Sequence, residues 1–221
     1  MRKLFLYGLL IFLVSCKQSI KTDQKNESEI VSKYSGLLIK FKDFSVDTFQ
    51  IYSSEDVEDV QYKFKGIPID SLEIRLLPKE FGDLNNEDLG FFACYKFLID
   101  STTVGLIMRT PSEYMASSIK LFILDKQKDS ITDYIELAEI IGDAGDVTNK
   151  RSWLFTKINI PKIFMWSKES HDNSVDNEKD TTIQIWNYYY QMDISKKKID
   201  TSNKRFIDLK KEYSHLIPKV D

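Results

Sequence analysis

From Tyr34 onward, apolar residues recur at every second position, and that period constrains the chain more than any other feature it has. Alternation sends successive side chains to opposite faces of an extended strand, so a chain written this way folds as sheet and not as a helix bundle. In residues 60–65, Val60, Tyr62 and Phe64 fall on one face and Gln61, Lys63 and Lys65 on the other. In residues 91–100, Phe91, Ala93, Tyr95, Phe97 and Ile99 share a face. A Ser101-Thr102 break then leads to a return strand over 103–109, and another strand is predicted over 119–125. Residues 131–141 suit a helix through Ile131, Ile135, Ala138 and Ile141, but equally a strand, and the hairpin context favours the strand. Residues 152–160 alternate again, with Leu154, Thr156, Ile158 and Ile160 on one side, and Pro161 ends that strand or marks an edge.

Residues 167–180 are charged and predicted to be an exposed loop. Residues 181–194 are rich in strand formers and place Trp186, Tyr188, Tyr190, Met192 and Ile194 on one face. After residue 200 the period changes. Phe206, Leu209, Tyr213 and Leu216 recur at helical spacing with Pro218 just beyond, so a C-terminal helix of about twelve residues is expected. Eight to ten hairpin-linked strands and no β-α-β alternation predict a mainly β fold. The expected architecture is an antiparallel meander forming a sandwich or barrel-like domain over 34–217, with a short tail at 218–221.

The N-terminus carries a different signal. Arg2 and Lys3 precede an apolar run over 4–14, which is too short for the roughly 20 residues that span a bilayer but fits a secretory signal peptide. The next residues, Leu13-Val14-Ser15-Cys16, resemble the lipobox of bacterial lipoproteins. That resemblance implies a signal peptide over 1–15, cleavage before Cys16, and a diacylglycerol thioether with an N-acyl chain on Cys16. Three acyl chains exceed the two signals needed for stable anchoring. Lys17 stands where an aspartate would resemble an inner-membrane retention signal, and Lys17-Gln18-Ser19-Ile20-Lys21 lacks the acidic cluster that directs some lipoproteins to the cell surface. The resemblance therefore implies an outer-membrane anchor facing the periplasm. Residues 16–33 contain three isolated aliphatics and no aromatic, too little apolar surface to offset ordering, and read as a flexible tether about 20–25 Å in mean span.

The Lys/Asn/Ile/Asp-rich composition, with GLIMRTP at 105–111, SSIKLFILD at 117–125 and IELAEIIGDAGD at 135–146, resembles envelope lipoproteins of Bacteroidota. This resemblance covers about half the chain and implies a habitat but no biochemical activity.

Charge narrows the function further. The chain has 31 Lys and Arg against 34 Asp and Glu, a net charge of −3, which argues against a nucleic-acid partner. Cleavage before Cys16 would remove two of the basic residues and no acidic one. No nucleophile elbow, zinc-protease helix, phosphate loop or dinucleotide fingerprint occurs, so no catalytic, cofactor-binding or metal-binding residue is assigned. His171 and His215 read as solvated surface histidines, and Cys94 as a buried, inert thiol inside a strand. Residues 142–146 hold two glycines, and their Asp143 and Asp146 could offer oxygens to a hard cation, although a tight turn is the plainer reading. Asp172, Ser174 and Asp176 imitate an EF-hand start, but Asn177 stands at the glycine position and Ile183 at the bidentate-glutamate position. The turn Arg109-Thr110-Pro111-Ser112-Glu113-Tyr114 collects polar groups that read as a surface ion pair. Trp186, Tyr188, Tyr189 and Tyr190 could stack on a sugar, although strand aromatics are usually core.

The chain is thus expected to be a lipid-anchored envelope module that binds an envelope protein or glycan, or is structural, without catalysis. One alternative is an envelope hydrolase using Asp143 and Asp146, or Glu136 and Glu139. Another is a calcium-stabilised adhesion module.

Overall fold

The computed structural model describes residues 31–81, 90–112, 117–195, 198–201 and 206–218. The signal peptide, Cys16, tether residues 17–30, and Glu113 and Tyr114 of the Arg109 turn lie outside them. Strands alternate as their sequences do: β1 (Lys42–Asp43), β2 (Phe49–Ile51), β3 (Ile67–Pro68), β4 (Phe92–Leu98), β5 (Thr103–Thr110), β6 (Ser118–Asp125), β7 (Ser130–Asp143), β8 (Asp146–Lys157), β9 (Ile160–Asp172), β10 (Ile183–Ser195) and β11 (Lys198–Thr201). Three short helices accompany them: α1 (Ser35–Leu38), α2 (Ser71–Ile74) and α3 (Phe206–Glu212).

Strands β4 to β11 form a continuous antiparallel meander, each paired with the next. At one end β1 pairs parallel to β4, which makes the sheet mixed, and the sheet does not close into a barrel. The bend comes at β7. Residues 130–138 of β7 pair with β6, whereas residues 139–143 pair with β8. Where β7 leaves β8, β2 takes its place and pairs with residues 152–154. The strand is long enough to serve two half-sheets, so the halves face each other across one core.

That core gathers Ile107, Leu121 and Leu137 from one half with Leu154, Ile163, Met165, Met192 and Ile194 from the other. The outer face of the first half is covered by α1, α2 and the following 3₁₀ turn, through Tyr34, Leu37, Ile74 and Phe81. The outer face of the second half is covered by α3 and the turn after it, whose Leu209 and Tyr213 pack on Trp153, Phe164, Trp166 and Tyr189. Strand β5 lies between two apolar layers, so all eight of its residues are buried. Each fully buried Leu, Ile or Phe contributes about 1.5–3 kcal/mol, which is what binds these layers to the sheet.

Several sequence expectations change at this level. Residues 61–65 form turns and not a strand, although Tyr62 and Phe64 are buried and Val60, Gln61 and Lys63 are exposed. Tyr62 and Phe64 keep the predicted inward face without recruiting a ladder partner, whereas Val60, predicted to share it, points to solvent. In β4 a register shift between Ala93 and Tyr95 breaks the predicted common face. Phe91 and Ala93 consequently pack under the helices, while Phe97 joins the central core and Tyr95 packs against it. Residues 131–141 are strand. The run at 152–160 is a strand and a turn: Ile158 and Asn159 have positive φ (54° and 59°), and Ile158 is exposed. A two-residue turn with both central residues left-handed matches the twist of the flanking strands and is strained for a β-branched residue. Much of the predicted 167–180 loop belongs to β9. Helix α2 was not legible from the alternation; its Asp70 accepts from the backbone N–H groups of Leu72 and Glu73 while Glu73 caps the Asp70 N–H, a complete capping box.

Gly105 shows how tightly the first half is packed. A Cβ on Gly105 would lie 2.5 Å from the ring of Phe97, its cross-strand partner, which is buried. Gly105→Ala is therefore expected to destabilise the domain by about 1–3 kcal/mol. A lower urea midpoint with an unchanged slope would show this, and an unchanged midpoint would contradict it.

Candidate functional site

The second half-sheet extends past the core as a four-stranded arm, made of residues 139–143 of β7, 146–150 of β8, 167–172 of β9 and 183–190 of β10. The register aligns its inner face in cross-strand rows. One row is Tyr188, Ser167, Lys150 and Glu139; the next, outward, is Trp186, Glu169, Thr148 and Ile141. Tyr190 pairs with Met165 nearer the core. Between this face and the β7 bend runs a groove of about 550 Å³, lined by Glu136, Lys150, Ser167, Glu169 and Tyr190 among others.

The β7 bulge builds the polar end of this groove. Glu136 pairs with Lys120 of β6 and Ala138 with Ile119, which leaves Leu137 as the extra residue. In a regular strand, residues three apart point to opposite faces; the extra residue puts Glu136 and Glu139 side by side. Glu136 accepts from Lys120 (3.2 Å) through Oε2 and from Lys150 through Oε1. Lys120 also donates to Ser118 Oγ. Ser112 Oγ, from the turn after β5, donates to Glu139 Oε1 at 2.5 Å.

These contacts push the two carboxyls apart in acidity. Burial alone would raise Glu136, but the Lys150 ammonium, the hydrogen bond with Glu139 and the Lys120 charge together hold it below the usual glutamate value. Burial raises Glu139, the Ser112 hydroxyl opposes that, and the adjacent Glu136 raises it further. The pair is therefore one carboxyl held low by two lysines beside another whose pKa is raised.

The expected site residues are found in several places. Glu136 and Glu139 do come together. Both oxygens of Glu136 meet ammonium groups, and Glu139 is buried and accepts from Ser112. Asp143 and Asp146 flank a two-residue turn in which Ala144 and Gly145 have positive φ, and a Cβ on Gly145 would lie 2.6 Å from Val175. Asp146 instead bonds His171 Nδ1 (2.8 Å), while Asp176 bonds Nε2 (3.0 Å). His171 is clamped between two carboxylates and not simply solvated; the Asp146 bond, with that of Asp176, raises its pKa. His215 is exposed. Among the described residues no group of three or more His, Cys, Asp and Glu is arranged to hold a metal ion.

Arg109 is buried, and among the described residues it forms no ion pair. Its Nε and Nη2 donate to the Phe64 and Lys65 carbonyls, both at 3.1 Å, and its guanidinium stacks on Phe92. Cys94 is buried, and desolvation pushes its thiol up to about 12, where it is inert as a nucleophile at neutral pH. The aromatics depart most from expectation. Tyr189 is core, but Trp186, Tyr188 and Tyr190 are 43%, 37% and 42% exposed. Met192 and Ile194 share their face and are buried, so the strand leaves the core partway along its length. Sequence reasoning missed Lys120 and Lys150, and it placed Ser112 in the Arg109 turn without joining it to Glu139, because only the bulge and the long-range register bring these residues to the glutamates.

No protein-family model, curated protein or solved structure matches this chain.

The two glutamates should respond differently to neutralisation. Glu136→Gln leaves two partly buried ammonium groups without their carboxylate and is expected to cost about 1.5–3 kcal/mol at pH 7. Glu139 accepts from a hydroxyl and bonds no ammonium group among the described residues, so Glu139→Gln should cost less, about 0.5 kcal/mol or under. Because Glu136 is depressed, its contribution is present above the ordinary glutamate value and is lost as pH falls through the depressed one. The cost of Glu136→Gln should shrink correspondingly in acid. Urea unfolding of both variants at two pH values measures this, and equal costs at pH 7 would contradict it.

Proposed function

We propose that this protein is a lipid-anchored lipoprotein of the bacterial cell envelope, held at the outer membrane through Cys16 and facing the periplasm, whose β domain is a non-catalytic module that binds a glycan. The anchor rests on the sequence of residues 1–16 and its resemblance to a lipobox. The binding reading rests on one observation: Tyr190 lines the groove with Ser167, Lys150 and Glu136, and Trp186 and Tyr188, half-exposed, continue the same sheet face outward along β10. An apolar stacking surface next to a few fixed donors and acceptors is what a sugar ring requires, since it presents an apolar face and a rim of hydroxyls. Lys120, Lys150 and Ser112 fix the glutamates before any ligand arrives, which lowers the ordering cost of binding.

A fluorescence titration of the full chain in detergent against a panel of soluble neutral and acidic oligosaccharides tests this. At least one oligosaccharide should shift the tryptophan emission saturably, and Trp186→Ala or Tyr188→Ala should weaken that ligand by about tenfold or more, as truncating an aromatic anchor does. No shift across the panel, or full affinity in both variants, would contradict the groove. Radioactive palmitate should label the wild-type chain and not Cys16→Ala; labelling of both would contradict the anchor.

A further inference from the structure

We propose that the glycan this groove takes carries a protonated amine, which Glu169 receives beside the ring of Trp186. The inference deepens the glycan reading above and rests on it. It starts from the charges along the inner face of the arm. At the base, Glu136 meets Lys120 and Lys150, so its charge is matched there. One row outward, Glu169 lines the same groove, half-buried, and among the described residues it bonds no cation.

The row beyond it is Gln184, His171, Asp146 and Asp143. Its histidine is already held by Asp146 and by Asp176 of the following loop. Arg151 and Lys168 belong to the opposite face of their strands, where Arg151 pairs with Trp166 and Lys168 with Asn149. From Glu169 outward, the described residues of this face thus include Glu169, Asp146 and Asp143 and no lysine or arginine. Such a surface draws in a cation and opposes an acidic sugar.

Two neighbours of Glu169 select the ligand further. Trp186 is its direct cross-strand partner and is 43% exposed. Directly opposed residues have Cβ atoms about 4.5–5.5 Å apart, so one ammonium group can donate to the carboxylate while lying over the indole within about 6 Å of its centre. A hydroxyl or an acetamide in its place brings no charge to either partner. Ser167, the next residue along the same face toward the lysines, is 5% exposed and lines the groove, and its hydroxyl has no hydrogen-bond partner among the described residues. A buried polar group left unpaired is costly, and a ligand hydroxyl supplies the missing partner. Ser167 and Glu169 lie about 6–7 Å apart along the strand, a distance that one amino-sugar ring spans with its amine and a hydroxyl.

Fluorescence titrations of the full chain in a sugar-free, non-ionic detergent at pH 6, where a sugar amine is protonated, test the proposal. The probes are a glucosamine tetramer and its fully N-acetylated counterpart, which share rings, linkages and hydroxyls and differ in charge. The glucosamine tetramer should bind more tightly by about tenfold or more, as a charge-assisted hydrogen bond supplies. Glu169→Gln, with unchanged circular dichroism, should bring the two tetramers to within about twofold of each other. In the wild type the preference should also narrow as sodium chloride is raised, because salt screens the ion pair, and this decides the matter if the variant fails to fold. Equal binding of the two tetramers, a preference that survives both Glu169→Gln and salt, or a lysine tetramer that matches the glucosamine one would overturn the proposal. Binding of other oligosaccharides with no preference for the amine overturns it and leaves the glycan reading standing. Silence from both tetramers and the whole panel overturns the two together.

Discussion

Of the two residues by which β7 bulges against β6, Leu137 decides how this domain is put together. A strand of 14 residues that serves two neighbours must change partner somewhere, and the change from β6 to β8 happens at Ala138 and Glu139, directly after the Leu137 bulge. A bulge bends its strand and increases local twist, which lets one sheet turn back over itself around a shared core without closing into a barrel. Ser152 fastens the turning point by donating to the Leu137 carbonyl at 2.6 Å. The β2 strand fills the ladder that β7 vacates, so the backbone of β8 remains paired where the sheet divides.

The same residue count determines the chemistry of the groove. Without the bulge, Glu136 and Glu139 would lie on opposite faces, one of them against the apolar core. With it, they share a face, and burial of two carboxyls requires compensation that β6, β8 and the turn after β5 each supply through Lys120, Lys150 and Ser112. Burying charge is costly unless it is paired and hydrogen-bonded, and here three otherwise separate segments are tied to one point by that requirement. The network lies at the base of the arm, so the aromatic row projects from a root tied together by these contacts.

Much of the fold was legible because alternation reports burial directly. The strands of the meander, the buried thiol of Cys94 and the C-terminal helix follow from local pattern alone. What local pattern does not encode is where a strand ends its usefulness to the core. Trp186, Tyr188 and Tyr190 have the same spacing as Met192 and Ile194, and only the reach of the opposing half-sheet separates exposed from buried. Residues 61–65 fail for a related reason: Tyr62 and Phe64 insert into the core while the backbone between them finds no strand to pair with. The Glu136 and Glu139 pairing was visible as two acids three apart, but a bulge leaves no local signature in the sequence, and its two lysines come from distant strands. Arg109 misled because an arginine near a proline turn reads as surface, whereas here it satisfies carbonyls of the 60s segment across 45 residues of chain.

The most direct test of the bulge as the organising feature is a carboxyl-carbon NMR titration of Glu136 and Glu139 in the folded protein. If the extra residue holds the two groups together under the lysines, they titrate as a coupled pair in two steps, one below and one above the ordinary glutamate value, and Lys150→Met raises the lower step. Two independent titrations at the ordinary value, unmoved by Lys150→Met, would contradict it.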